Sequence, residues 1–185
     1  MPIRRLQNKN GSSSLPIPPQ NVEAEESLLS AVLIDNTTLL DIIEIISPED
    51  FYRSVHQIIF KSIIDLFEKN EPVDLVTLTN SLKGKGRLEE IGGATYLAGL
   101  IDTVPMAVNA QHYAQIVYEK SCLRQLIEKA NAITQRCFED RGDLEEIVDF
   151  AERSIFEISE NKTRQAFFPI SKIIVTNIEM LEEKP

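Results

Sequence analysis

Along this chain, apolar side chains recur at three- and four-residue steps rather than at alternate positions, a period that puts them on one face of a helix and not of a strand. The longest such run starts at Asn109. Tyr113, Ile116, Val117, Leu123, Leu126, Ile127, Ala130, Ile133 and Cys137 share a stripe on an outgoing arm, and Leu144, Ile147, Val148, Ala151, Ile155 and Ile158 repeat it on a return arm. Between the arms, Gly142 suits the positive φ that ends a helix and Asp143 suits the next N-cap, so the pattern predicts an antiparallel hairpin over residues 109–162. An outgoing arm of about thirty residues spans roughly 45 Å, more than the depth of a small helical head. Such an arm projects. A second apolar set, Tyr118, Cys122, Phe138, Phe150 and Phe156, then needs another surface, and together with Leu126 and Ile133 it is the expected dimer interface.

Upstream, residues 21–108 read as a small helical head. Asn21 suits an N-cap with Glu23, Glu25 and Glu26 in the first turn, and Leu28, Leu29, Val32 and Leu33 form the stripe behind it. A second helix fits Thr37 to Ile46, so rich in Leu and Ile that most of its circumference must be covered. Ser47-Pro48-Glu49-Asp50 is a capped start with Pro at the first helical position. A third helix fits Ser54 to Lys69, a fourth begins at Asp74, Leu88 to Ile91 is a short helical turn broken by Gly92-Gly93, and Ala94 to Ile101 is another short helix with Tyr96, Leu97 and Leu100. Residues 1–20 are polar and Pro-rich and read as a flexible arm. Phe167-Phe168-Pro169 marks a linker, residues 163–185, that ends in one more helix with Ile170, Ile173, Ile174, Ile178 and Leu181 on a single stripe. The predicted fold is all-α: a small helical head, a long hairpin and a C-terminal linker helix.

Composition narrows the function. The 185 residues are 43% apolar, enough for an ordinary core, and carry no run that could span a membrane and no apolar leader, so the cytoplasm is the expected compartment. Cys122 and Cys137 lie about 22 Å apart along one helix and read as buried, reduced thiols. Nineteen basic residues against 29 acidic ones leave a net charge of −10, the wrong sign for gripping phosphates. The segment from Glu139 to Glu160 holds nine of the acids, either as a solvated face or as a steering surface for a basic partner. Lys83-Gly84-Lys85-Gly86-Arg87 invites a phosphate-loop reading, but the spacing is wrong and a solvated turn suits it better. His56 and His112 have no Cys or acid cluster at metal spacing and read as structural or surface residues. The carboxylates of Glu23, Glu25 and Glu26 fit caps and solvated faces. No nucleophile, cofactor or metal motif points to an enzyme.

Several short stretches do point to a family. Pro18-Pro19-Gln20-Asn21-Val22-Glu23-Ala24-Glu25, Ser47 to Arg53, Glu71-Pro72-Val73-Asp74, Leu88 to Gly93, Tyr96-Leu97 and Tyr113 to Val117 resemble, in order, the N-terminal domain of bacterial replicative DNA helicases of the DnaB type. The resemblance covers about Pro18 to Lys184. It implies hairpin-paired dimers assembled three at a time into a hexameric collar, a docking platform for the helicase-binding domain of primase, and a linker helix that latches onto the ATPase domain of the adjacent subunit. By the same resemblance Glu23, Tyr96, Ile127 and Ile133 match primase-contact positions, although Glu23 also reads as a cap acid and the other three as core. The RecA-like ATPase domain, with its ATP and Mg, is absent from this stretch, which therefore reads as a non-enzymatic fragment. The competing expectation is a free-standing helical dimerisation adaptor.

The charge balance yields a first prediction. At physiological salt the chain should bind single-stranded DNA only weakly in fluorescence anisotropy, and a submicromolar affinity with a steep salt slope would overturn it.

Overall fold

The computed structural model describes residues 17–102, 109–139 and 143–164. Among them there are seven α-helices and no strand: α1 (Val22–Ile34), α2 (Leu39–Ile43), α3 (Ser54–Glu68), α4 (Leu75–Gly84), α5 (Gly93–Asp102), α6 (Ala110–Glu139) and α7 (Leu144–Arg164). The arm upstream of residue 17, the turn residues Arg141 and Gly142, and the predicted linker-helix stripe of Ile170, Ile173, Ile174, Ile178 and Leu181 lie outside the described residues.

Helix α1 is the axis of the head. The Asn21 side chain accepts a hydrogen bond from the Ala24 N–H at 3.0 Å, closing the cap that the sequence announces. Burial then runs through Leu28, Leu29, Ser30, Ala31, Val32 and Leu33, well beyond a single stripe, because α3, α5 and α6 all pack around this helix. Phe51, Ile59, Phe60, Ile63, Leu78, Leu82, Leu97, Ala114 and Val117 complete the core. The second predicted helix is shorter than expected. Asp35 caps a 3-10 turn at Asn36–Thr38, only Leu39–Ile43 is α-helical, and Leu40 is exposed while Leu39, Ile42 and Ile46 are buried. A five-residue helix lying against the head has one face to cover, so its density of Leu and Ile exceeds what it buries.

Left-handed residues end the middle helices. Asn70 (φ 55°) follows α3, and Gly86 (φ 68°) follows α4 with the Arg87 N–H donating to the Leu82 carbonyl at 2.9 Å. The basic glycine-rich segment is thus a helix C-cap. Its Lys85 pairs with Asp65 at 2.6 Å and its Arg87 with Glu90, which leaves two of its three cations already engaged.

Helix α6 is shared between head and hairpin. Its first three turns bury Ala110, Ala114, Val117 and Ser121 against the head, and the remainder projects alongside α7. At the root, Asp50 is buried; its Oδ2 accepts from the Ser47 N–H at 2.7 Å and its Oδ1 from the Ser121 hydroxyl at 2.7 Å. Arg124 donates to the carbonyls of Pro19 at 2.9 Å and Asp50 at 2.5 Å and lies over the Tyr52 ring. Further out, Lys129 pairs with Glu157 at 2.7 Å, and the Arg136 guanidinium sits 4.4 Å from the Phe150 ring centroid.

These contacts predict that Ser121→Ala, which leaves a buried carboxylate oxygen without its donor, lowers stability by about 1–3 kcal/mol. Urea unfolding followed by circular dichroism measures it; an unchanged midpoint would mean that the Asp50–Ser121 contact does not secure the hairpin root.

Candidate functional site

Two surfaces carry chemistry suited to partners. The first is the hairpin beyond Ser121. Leu123 (44% exposed), Leu126 (41%) and Ile127 (49%) form an outward stripe on α6, while Leu144, Val148, Ile155 and Phe156 are exposed on α7. The return arm is rotated from the expected register. Its inward residues are Ile147, Phe150, Ala151, Ser154 and Ile158, and the expected stripe members Leu144, Val148 and Ile155 lie on its outer side. The hairpin pairing uses the narrower set of half-buried positions, so both arms keep apolar surface that their mutual contact does not cover.

The predicted dimer residues divide accordingly. Leu126, Phe138 and Phe156 are exposed, whereas Tyr118, Cys122, Ile133 and Phe150 are half-buried. Tyr118 packs against the head's core, and burial first, then the neighbouring Cys122, pushes its phenol pKa up. Both cysteines are free thiols, but Cys137 is exposed rather than buried because it lies on the outer side of the projecting arm.

The second surface is a cleft of about 640 Å³ where the α3 start meets the α5 start, lined by Tyr52, Arg53, Ser54, Val55, Glu90, Ile91, Gly92 and Tyr96. Glycine is required at its edge. Gly92 has φ +94°, and a Cβ there would meet the Tyr96 Cβ at 3.2 Å. Behind the cleft is a polar network that corrects the expectation for the first-turn acids. Glu25 is buried, not solvated: Oε1 accepts from the Tyr52 N–H at 2.6 Å, and Oε2 accepts from the Arg53 N–H at 3.3 Å and faces His56 Nδ1 at 2.6 Å. His56, fully buried, contacts the Tyr96 hydroxyl through Nε2 at 2.7 Å. Arg53 donates to that hydroxyl at 3.4 Å and pairs with Glu26 at 3.4 Å. Burial first, then the Glu26 carboxylate, pushes the Tyr96 pKa up, while Arg53 pulls it down.

Of the predicted primase-contact residues, Glu23 is exposed on the first turn of α1, Tyr96 is half-buried at the cleft, and Ile127 and Ile133 lie on the projecting part of α6. The head pair and the hairpin pair therefore belong to different regions of the molecule. Sequence reasoning missed Tyr52, Arg53 and the Glu25–His56 pair behind them. A signal existed, since Glu25 shares the helical stripe of Leu28, Leu29 and Val32, and His56 that of Ile59, Phe60 and Ile63. Polar residues on apolar stripes must find buried partners. Among the described residues no group of His, Cys, Asp and Glu could hold a metal, and no helix is long and apolar enough to cross a membrane.

Comparison with known proteins places these features in a family. A family model described as the DnaB-like helicase N terminal domain matches residues 17–119. The replicative DNA helicase DnaB of Geobacillus stearothermophilus is 46% identical over 171 residues, covering 91% of this chain and 38% of that protein, so the chain spans well under half the length of this relative. The crystal structure of the N-terminal domain of DnaB helicase from Mycobacterium tuberculosis superposes with a TM-score of 0.73 and 41% identity, covering 76% of this chain and 99% of that one. A second structure, described as a DnaB-like replicative helicase and its interactions with primase, shares the fold at a TM-score of 0.62 with 23% identity over 89% of this chain and 36% of its own. On the strength of the family match and of identity along most of its length, the chain belongs to the DnaB-like helicase N-terminal domain family.

Proposed function

We propose that this chain works as the N-terminal collar of a hexameric replicative helicase: hairpins pair copies into dimers, three dimers close the ring, and the head and hairpin dock the helicase-binding domain of primase. The apolar surface left exposed on both arms beyond Ser121 carries this reading. Water penalises such a surface, and a second copy offers a like one. Leu126, Phe138 and Phe156 lead the dimer residues, with the half-buried Tyr118, Cys122, Ile133 and Phe150 behind them; Glu23, Tyr96, Ile127 and Ile133 are the primase contacts. Primase is the candidate because one protein of this fold is described with its interactions with primase. In the whole protein, ATP and Mg would serve a RecA-like domain beyond this stretch, and the stripe from Ile170 to Leu181 would latch onto that domain in the neighbouring subunit. The coding sequence beyond Pro185 separates this reading from a free-standing adaptor. A Gly-x4-Gly-Lys-Ser/Thr motif supports the helicase, and an immediate stop codon supports the adaptor.

For the hairpin, Leu126→Asp and Phe156→Asp should each weaken self-association at least tenfold in sedimentation equilibrium while leaving helicity unchanged, since covering one such side chain contributes about 1.5–3 kcal/mol. Association that persists in both variants rules out this interface. For primase, reversing the charges of Glu145, Glu146 and Glu152 should slow association and flatten its salt dependence. Unaltered on-rates would remove the acidic return arm from the encounter.

A further inference from the structure

Glu25 and His56 are both buried, with the carboxylate 2.6 Å from Nδ1, and the far ring nitrogen lies 2.7 Å from the Tyr96 hydroxyl, half-buried at the cleft. The carboxylate also accepts the Tyr52 and Arg53 N–H groups, so it faces donors only and holds an imidazole proton on Nδ1. Nε2 is then the position where the ring can gain a proton. A neutral ring accepts there from the Tyr96 O–H, and an imidazolium donates there to the Tyr96 oxygen. A hydroxyl can meet both states, but in the second its own proton must turn away from the ring. Arg53 already donates to that oxygen at 3.4 Å, so the proton turns to the side that is left, toward the cleft.

The other charged groups facing this pair are Glu26 on α1 and Arg53 ahead of α3, which pair with each other at 3.4 Å and both bear on the Tyr96 phenol. Phe51 meets the imidazole edge-on at 6.3 Å and brings no charge. An isolated charge on so buried a ring is costly, and Glu25 supplies the opposite charge within hydrogen-bond distance. We propose that Glu25, His56 and Tyr96 form a proton-linked switch, in which uptake of a proton at His56 Nε2 reverses the hydrogen bond to Tyr96 and turns the hydroxyl presented to the cleft from an acceptor into a donor. The helices need not move, since each heavy-atom contact serves both states. The protonation state of a buried pair is thereby displayed at the surface.

Nuclear magnetic resonance of the 185-residue chain with isotope-labelled histidine and tyrosine rings tests this between about pH 5.5 and 8, where imidazole ordinarily changes charge. His112→Asn, at an exposed position of α6, removes the second histidine signal, and Tyr96→Phe identifies the tyrosine. As pH falls, Nε2 should pass from acceptor to donor while Nδ1 stays protonated, and the Tyr96 Cζ signal should shift with the same midpoint. In His56→Gln, whose amide keeps a donor and an acceptor but gains no proton, the Tyr96 signal should stay flat. Should that variant not fold, Glu25→Gln, which withdraws the opposite charge, should move both midpoints down together. A ring that stays neutral throughout, or a Tyr96 signal that does not follow His56, overturns the switch. A Tyr96 shift that survives in His56→Gln, or midpoints that separate in Glu25→Gln, would trace the shift to Glu26 and overturn it as well.

Discussion

A carboxylate moved from water into an apolar interior is destabilised by several kcal/mol unless hydrogen bonds replace its hydration, and Glu25 meets that cost in the most buried helix of the head. The replacement comes from two backbone N–H groups at the start of α3 and one imidazole nitrogen, all within 3.3 Å. Each donor fixes something else. The N–H groups set the path of the chain between Phe51 and Ser54, and the imidazole carries the constraint on to α5, so three elements packed by non-directional apolar contacts acquire a directional alignment.

Asp50, two residues before Tyr52, does the same at the hairpin root, where it secures α6 through Ser121. This contact helps a helix of thirty residues to be core at its start and projection beyond it. Up to Ser121 its inward positions are small, Ala110, Ala114 and Ser121 with Val117 between them, which lets the helix approach α1 closely. Past Arg124 the inward face meets α7, and larger apolar residues are exposed on the outside. Steric fit holds the root and leaves apolar side chains exposed on the outer part of the arm.

Much of this was legible in the sequence. The period of the apolar residues marked the hairpin arms, and Asn21 and Asp74 marked helix starts through capping chemistry that is local in the chain. What could not be read was decided by tertiary packing. The truncation of the second helix, the rotation of α7 and the burial of Glu25 each depend on a surface supplied by residues distant in the chain. The cleft was hidden for the same reason, because its walls come from segments about forty residues apart, as the His56–Tyr96 contact illustrates. The motifs that carried the family resemblance contain Glu25, Tyr52, Arg53 and Tyr96, yet a motif match names residues without saying which of them face one another.

The guanidinium of Arg124 joins carbonyls 105 and 74 residues upstream, at Pro19 and Asp50, and Ala114 and Val117 belong to the head's own core. A chain emerging from the ribosome in order therefore cannot close its head when α5 has been made. The apolar flank of α1 that α6 later covers stays open to water until the first third of the outgoing arm has cleared the exit tunnel. The direction of the hairpin is thus set only with completion of the head, since the root that aims the arm forms with the last piece of the core.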